Sequence, residues 1–249
     1  FPAFVLLGGP PYCRPHVCEA QIEADSCALW VATDEADRRH PADRRHPAAE
    51  GRLEEVVGFA SAFLTVDASG QSRWEVDLVA VRSDNQGQGL GTQLISHICG
   101  AGESSEVSLA RALIRVGNTA SRRAFENVGF TTDGQVHQLV LWSPRRGDSV
   151  SPDESEVKRS ASVFVGNVAL LPVDTVMYRG LWIEGLTAGC TEEQREALKT
   201  AHDIIGREHR DNIGALIPVE EASRLATDLR DGGVVHGEYT WFVKPGGKT

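Results

Sequence analysis

Residues 76–91 read VDLVAVRSDNQGQGLG, and they are the most informative part of the sequence for predicting the fold. An apolar strand leads through a polar turn into a loop with three glycines, Gly87, Gly89 and Gly91. The residues that follow, TQLISHI, continue from Leu90 with apolar side chains at helical spacing. A glycine-rich loop at a helix N-terminus exposes unpaired amide N–H groups at the positive end of the helix dipole. Such a loop is suited to bind a pyrophosphate.

Two common phosphate-binding motifs do not fit this loop. No Gly-Lys-Ser/Thr follows it, which excludes a Walker P-loop, and its glycines are not spaced as G-x-G-x-x-G. A tight strand-to-helix turn without a ligand is the alternative interpretation. A second segment favours the ligand: residues 118–130 read NTASRRAFENVGF. They predict a helix capped by Asn118 or Thr119 that ends at Gly129, with Phe130 opening a strand.

In this order the two motifs resemble the GNAT superfamily of acyl-CoA N-acyltransferases, over about residues 27–142. The family's pyrophosphate loop is Q/R-x-x-G-x-G/A, which Gln86, Gly89 and Gly91 match. Its next element is N-x-x-A-x-x-x-Y-x-x-x-G-F, which Asn118, Gly129 and Phe130 match.

The resemblance implies an α/β (α+β) fold with a mixed, mostly antiparallel central sheet and flanking helices. It also implies acetyl-CoA or coenzyme A as cosubstrate. In this family two strands splay apart, so that main-chain groups of the first can meet the pantetheine arm. The residues expected to bind the cosubstrate are Val79, Val81, Gln86, Gly87, Gln88, Gly89, Leu90, Gly91, Thr92 and Asn118. For Asn118, helix capping is an equally good role, and for Val79 and Val81 so is ordinary strand pairing.

Acyl transfer to an amine needs a base, because a free alkylamine has a pKa near ~10. Glu75 stands on the strand before the loop, shortly before Ala80 and Val81, where some family members carry a glutamate base. Asp77 lies on the same face by period-two alternation. Both are candidate catalytic residues, and a strand-end or solvent-facing carboxylate is the alternative. The N–H of Val79 is the candidate donor to the thioester carbonyl oxygen.

One departure from the family pattern concerns the leaving group. Many members carry a tyrosine that protonates the departing thiolate, and this chain has Phe125 in that place. Phenylalanine donates no proton, so the thiolate leaves unaided, with a water, or with another residue. The chain's tyrosines are Tyr12, Tyr178 and Tyr239, all outside the matched region.

The sequence divides into residues 1–142 as the acetyltransferase domain, 143–160 as a polar linker and 161–249 as a second domain. In the last part Ala222-Ser223-Arg224 repeats Ala120-Ser121-Arg122, and a glycine turn and an apolar strand follow both copies. We therefore expect a degenerate GNAT-like lobe, with chance similarity as the alternative. Thr187-Ala188-Gly189-Cys190 stands in place of the pyrophosphate loop, so no tight CoA binding is expected there.

Composition limits the class of protein. The 249 residues are 41% hydrophobic and 24% charged, close to globular averages, and no apolar run reaches the ~20 residues of a membrane span. A net charge of −10 argues against nucleic acid and favours a cationic amine. Five cysteines at irregular spacing predict reduced thiols and a cytoplasmic setting. A zinc site from Cys13, His16, Cys18 and Cys27 is the weaker alternative, so we expect no metal.

The expected function is an N-acetyltransferase that moves an acetyl group from acetyl-CoA to a primary amine of a small molecule or peptide. The alternative is a catalytically impaired GNAT-fold protein that binds CoA or scaffolds a partner, motivated by Phe125 and the degenerate half. The expected partners are an amine-bearing substrate and, as an open option, a second copy of the chain in a homodimer. Neither nucleic acid nor a membrane is expected.

Overall fold

The structure, a computed structural model, describes residues 27–34, 55–67, 69–103, 107–144, 162–175 and 179–246. The first half of the chain forms β1 (Cys27–Asp34), β2 (Glu55–Val66), β3 (Ser72–Val81), α1 (Leu90–Glu103), β4 (Leu109–Arg115), α2 (Thr119–Glu126) and β5 (Val136–Trp142). The second half forms β6 (Val163–Val165), β7 (Val168–Asp174), β8 (Arg179–Glu184), α3 (Thr191–Glu208), β9 (Asn212–Pro218), α4 (Thr227–Gly232) and β10 (Val234–Pro245). Short 3-10 helices follow β3, β8 and β9.

The ten strands found in the described residues belong to one sheet, in the order β1-β2-β3-β4-β10-β5-β9-β8-β7-β6. The order reads the same from either edge when each strand is exchanged for its counterpart in the other half. In both halves the third and fourth strands run parallel, β3 with β4 and β8 with β9, and all other pairs are antiparallel. The expected mixed, mostly antiparallel sheet with flanking helices is confirmed.

The two halves exchange their last strands at the centre of the sheet. Strand β10 lies between β4 and β5, and β5 lies between β10 and β9. The last strand of each half therefore pairs with the fourth strand of the other half. Main-chain hydrogen bonds join the halves along these strands. The division at residues 143–160 into separate domains stays a prediction, as does the interpretation of residues 161–249 as a degenerate GNAT-like lobe.

Two hydrophobic cores cover one face of the sheet. The first packs α1 and α2 against alternate residues of β4, Ala110, Ala112 and Ile114. The second packs α3 and α4 against alternate residues of β9. The pairing registers place both cores on the same face, which we call the outer face. Phe242 of β10, 1% exposed, belongs to the first core, so the second half supplies part of the packing of the first.

The opposite face, called the inner face, is concave. Five strand spacings separate β3 from β8, about 24 Å in a flat sheet. Nevertheless, Arg73 Nη2 on β3 lies 2.7 Å from Glu184 Oε1 on β8. Arg111 Nη2 on β4 lies 2.6 Å from the same carboxylate oxygen. The sheet therefore curls until the inner faces of its two halves meet.

Most predicted elements form. In the first half the helix after Asn118 ends at Glu126 rather than at Gly129. Phe130 leads only to an isolated bridge between Thr131 and Val243, because the next strand begins at Val136.

The second half shows two differences. Residues 219–230 read VEEASRLATDLR, which the sequence predicts as one helix, but a 3-10 helix (Val219–Arg224) and the short α4 take its place. The hairpin β6–β7 was not predicted. Its signal is the dipeptide Gly166-Asn167 between apolar runs, which forms the two-residue turn that closes Val165 onto Val168.

Some sequence predictions fall outside the described residues. They concern the Cys13, His16 and Cys18 group and residues 145–160 of the linker. They also concern residues 36–47, where ADRRHP occurs twice in tandem and where two prolines and the lack of an apolar period predict a solvated loop.

The exchanged strand predicts that the first half does not fold alone. A chain that ends at residue 142 lacks β10, which leaves β4 and β5 with unpaired edges and removes Phe242 from the first core. We expect this fragment to be insoluble or aggregated in size-exclusion chromatography. A chain of residues 1–246, which keeps β10, is the matched control and should behave as the full chain. A soluble, monomeric 1–142 fragment with cooperative thermal unfolding would contradict the prediction.

Candidate active site

A gap opens in the sheet between β3 and β4. Their parallel pairing runs from Arg73 opposite Leu109 to Val76 opposite Ala112 and ends there, although β3 continues to Val81. The Arg82 N–H donates to the carbonyl of Val57 on β2 at 2.8 Å. Because strand residues alternate in direction, the main-chain groups of Val79 and Val81 point the other way, into the gap. The Val81 carbonyl accepts a hydrogen bond from Gln86 Nε2 at 2.9 Å, so it is already paired within the loop.

A β-bulge interrupts β3 at Asp77. Ala62 on β2 pairs with Val76 and Ser61 pairs with Leu78, which leaves Asp77 without a register partner on β2. Before the bulge Trp74 and Val76 contribute to the first core, and after it Val79 and Val81 pack against that core. The alternation therefore shifts by one residue, and Asp77 and Leu78 both lie toward the inner face. Glu75 and Asp77 share the inner face by the period-two alternation that precedes the shift, and the bulge adds Leu78 to that face.

The glycine loop joins this gap to α1. Gly87 and Gly89 have φ of 76° and 79°, in the left-handed region that favours glycine. Nothing lies within 4 Å of where a Cβ would stand at either residue, so the space above the loop is open. The Gln93 N–H donates to the Gly89 carbonyl, which makes Gly89 the residue before the first helical turn. That turn has no acidic residue, and its amides belong to Leu90, Gly91 and Thr92.

The equivalent helix start in the second half is filled. Glu193 in the first turn of α3 turns back, and its Oε2 accepts the Cys190 N–H at 2.8 Å. A Cβ at Gly189 or Gly166 would meet the Glu193 side chain. A carboxylate of the protein therefore occupies the place that an anion would take at α3. Between these two equivalent helix starts, only the one at α1 is open to an external pyrophosphate.

Glu75 belongs to a buried ion-pair cluster with Arg73, Arg111 and Glu184. Its Oε1 lies 2.5 Å from Arg111 Nε and 3.4 Å from Arg73 Nε. The Arg111 guanidinium also stacks on Trp241 of β10, 3.9 Å from the ring centre. Burial raises the pKa of Glu75, and the two arginines oppose that rise. The Glu75 carboxylate is thus ion-paired with arginines on β3 and β4.

Asp77 is held very differently. Burial, together with the negative charge of Glu75, raises the pKa of Asp77 to about 7. Its Oδ2 is buried and has no hydrogen-bond partner among the residues that the structure describes. The residue as a whole is half-buried, at the edge of the gap. A carboxyl that titrates near neutral pH and keeps an unused oxygen can accept a proton from a bound molecule.

The elements after β4 carry the remaining predicted residues. Asn118 caps α2, because its Oδ1 accepts the Ser121 N–H at 3.1 Å. Phe125 is buried edge-to-face against Phe130, with ring centres 5.0 Å apart, so no proton donor stands there.

The strand exchange brings one tyrosine to the inner face. Tyr239 lies on β10 beside Arg115, and burial raises its pKa while Arg115 opposes the rise. The hydroxyl is buried and accepts or donates no hydrogen bond within the described part of the chain. The local sequence does not predict where Tyr239 lies in the fold, because its location depends on which strands β10 pairs with.

Within the described residues, no group of three or more His, Cys, Asp or Glu side chains could hold a metal ion. Among the helices in those segments, none is both long and apolar enough to cross a membrane.

Comparison with solved structures gives matches of low identity. NAA60 of Arabidopsis thaliana with a bisubstrate analogue is 18% identical over 45% of this chain and 65% of that chain, with a TM-score of 0.35. The tetramutant of BH1408 from Bacillus halodurans is 14% identical over 51% and 74%, with a TM-score of 0.39. The NatC complex bound to Gag peptide and CoA is 15% identical over 43% and 59%, with a TM-score of 0.34. This chain thus spans less than two thirds of the first and third of these structures.

No curated protein sequence matches the chain. A family model does match it: the acetyltransferase (GNAT) family, over residues 15–130. That range includes the bulged strand β3, the glycine loop, α1 and the capped helix α2. The match covers somewhat less than half of the chain, and within residues 15–130 the chain is similar to this family.

Proposed function

We propose that the chain is an N-acetyltransferase that moves an acetyl group from acetyl-CoA to a primary amine, with Asp77 as the general base. The observation that carries the proposal is the buried Asp77 carboxyl at the β3 bulge, with a pKa of about 7 and an unpartnered oxygen. It lies on the strand that borders the gap and leads into the open glycine loop. A proton acceptor thus stands next to the place where an acyl donor would lie.

The loop and the gap fit the two ends of acetyl-CoA. The pyrophosphate would rest on the amides of residues 86–92, which include Gln86, Gln88 and Thr92, where Gly87 and Gly89 leave open space. The pantetheine arm would follow the exposed edge of β3, where the Val79 and Val81 main chain points into the gap. Acetyl-CoA supplies an activated acyl carbon.

Asp77 makes the acceptor reactive. An alkylammonium has no lone pair at neutral pH, and a carboxylate with a pKa of about 7 is basic enough to take one of its protons. As the C–N bond forms, the C–S bond breaks and sulfur takes the electron pair. The nitrogen loses a second proton, and one proton ends on the thiol. The N–H of Val79 points into the gap, where it can stabilise negative charge on the carbonyl oxygen.

Glu75, the other candidate base, has a supporting role in this proposal. Its oxygen is bound by Arg111 and Arg73, so protonation would break a buried ion pair. Its charge helps to raise the pKa of Asp77. Asn118 caps α2 in the structure, and a contact with the cosubstrate remains part of the proposal.

A catalytically impaired, CoA-binding protein is the second candidate, and one observation favours it. Phe125 is buried where a proton donor for the thiolate would stand. Both candidates bind CoA, so turnover separates them. Release of free thiol from acetyl-CoA that depends on an added primary amine supports the enzyme. CoA binding without such release across an amine panel supports the second candidate.

Cosubstrate binding can be tested at the glycine loop. We expect Gly89→Glu to weaken CoA binding by at least 10-fold, because it strains the loop and sets a negative charge where the pyrophosphate would lie. Isothermal titration calorimetry measures the effect. Gly70→Glu is the matched control: Gly70 has φ of 84°, lies in the exposed β2–β3 turn and also has open space around it. Equal affinity of the Gly89 variant and the control would reject the assignment.

The base can be tested by activity. Asp77→Asn should lower kcat/KM by ~10²-fold or more at pH 7.5 without changing the Kd for CoA. In the unsubstituted chain kcat/KM should fall as pH drops through about 7, because protonated Asp77 accepts no proton. Glu75→Gln should move this acidic limb to lower pH, because it removes the charge that raises the Asp77 pKa. A fully active Asp77→Asn variant would return the role to Glu75 or a water.

The Asp77 pKa also predicts a stability effect that does not depend on activity. A carboxyl whose pKa is raised from 3.8 to about 7 binds more protons in the folded than in the unfolded chain, so its ionisation destabilises the fold as pH rises between these values. Asp77→Asn should therefore gain stability relative to the unsubstituted chain, by at most about 4 kcal/mol above pH 7, and none near pH 3.5. Denaturant unfolding at pH 5 and pH 8 measures this. A gain that does not grow with pH would contradict the raised pKa.

A further inference from the structure

The β3 bulge holds a second unsatisfied polar group besides Asp77. Ser61 on β2 is 4% exposed, and its Oγ lacks a hydrogen-bond partner in the part of the chain that is described. An unpaired buried hydroxyl or carboxylate destabilises the fold, because it has lost its hydrogen bonds to water. Two such atoms at neighbouring positions indicate a ligand or water that completes both.

The register places these two atoms on one face. Ser61 pairs with Leu78, and the bulge sets Asp77 and Leu78 together opposite this one residue. Ala60 and Ala62, on either side of Ser61, pack into the first core, so the Ser61 side chain faces the inner side. The hydroxyl and the carboxylate therefore lie on the same side of the sheet at neighbouring register positions, and a ligand that met both would occupy the space over the bulge.

The chemistry of this space matches an ammonium group. A carboxylate only accepts hydrogen bonds, and a serine hydroxyl can accept one. A nitrogen with several N–H groups can donate to both atoms at once, whereas an alcohol has a single O–H. The nearby negative charge of Glu75 also favours a cation.

We propose that Ser61 binds the acceptor nitrogen alongside Asp77 and so selects primary amines over alcohols. This inference rests on the proposed acetyl transfer and names the acceptor side of that site. Ser61 accepts one N–H of the ammonium, while Asp77 takes the proton whose removal frees the lone pair for attack on the thioester carbon. Ser61 itself gains and loses no proton.

Proximity of the ion-pair cluster limits the size of the acceptor. Glu75 lies two residues before Asp77 on β3 and joins Arg111, which together with Arg73 reaches Glu184 across the inner face. These side chains occupy the inner face on that side of Asp77. We therefore expect an unhindered alkylamine to reach Asp77 more readily than a side chain in the middle of a long peptide.

The test measures steady-state kinetics with a panel of alkyl- and arylalkylamines and the alcohols of the same carbon skeletons. With the best amine, Ser61→Ala should raise KM about 10-fold or more, with the Kd for CoA unchanged. Ser61→Thr, which keeps the hydroxyl, should retain most of the affinity. Thr65→Ala on the same strand is the matched control and should leave KM unchanged. The ratio of kcat/KM for amine over alcohol should fall in Ser61→Ala alone.

The outcomes separate the two proposals. An unchanged KM and amine-to-alcohol ratio in an active Ser61→Ala variant would overturn the role of Ser61 and leave acetyl transfer standing. That result would mean that Ser61 holds an ordered water only. A chain that binds CoA but transfers acetyl to no amine of the panel would overturn both. Thermal unfolding checks folding, and Ser61→Ala should unfold no earlier than the unsubstituted chain, since it removes an unpaired buried hydroxyl.

Discussion

The interaction on which the architecture depends is the buried ion-pair cluster of Arg73, Glu75, Arg111 and Glu184. Two guanidinium groups from β3 and β4 hold one carboxylate from their own half and one from β8. Buried charges are costly unless each is paired, and loss of one partner leaves the others uncompensated. The cluster therefore fixes the curl of the sheet, because its members meet only when the two inner faces meet. It also places a negative charge next to Asp77 and so sets the proton affinity of the candidate base.

The position that follows the end of parallel pairing carries a carboxylate in both halves, but the surroundings of the two carboxylates differ. Parallel pairing ends at Val76 in the first half and at Ile183 in the second, and the next residues are Asp77 and Glu184. Asp77 keeps an unpartnered oxygen beside an open gap, whereas Glu184 is bound by both arginines. Burial raises the pKa of Asp77, but the arginines lower the pKa of Glu184 despite its burial. Local charge, together with the bulge at Asp77, thus distinguishes a candidate base from a structural carboxylate.

Local sequence predicted the parts of the site that depend on local geometry. The loop around Gly89 and the cap at Asn118 follow from residues close in the chain, and both form as expected. The bulge does not follow from residues close in the chain. Residues 76–79 read as a regular strand, and the extra residue becomes evident only from the pairing register with β2. Ser61 was missed for the same reason. The strand exchange could not be predicted from the sequence either, because β5 and β10 both contain apolar residues and each could pair within its own half.

The second half acts on the first half's site without offering an equivalent of its own. Glu193 fills the start of α3, so this helix start is not open to an anion as the start of α1 is. What it contributes is Glu184, which completes the ion-pair cluster, and β10, which carries Trp241 onto Arg111. Glu184 contacts Arg73 on β3, the strand of Asp77, and Trp241 contacts Arg111 on the neighbouring β4; in both contacts the two residues are more than a hundred positions apart. The two halves therefore form one candidate active site, and the surroundings of Asp77 depend on side chains that lie outside residues 1–142.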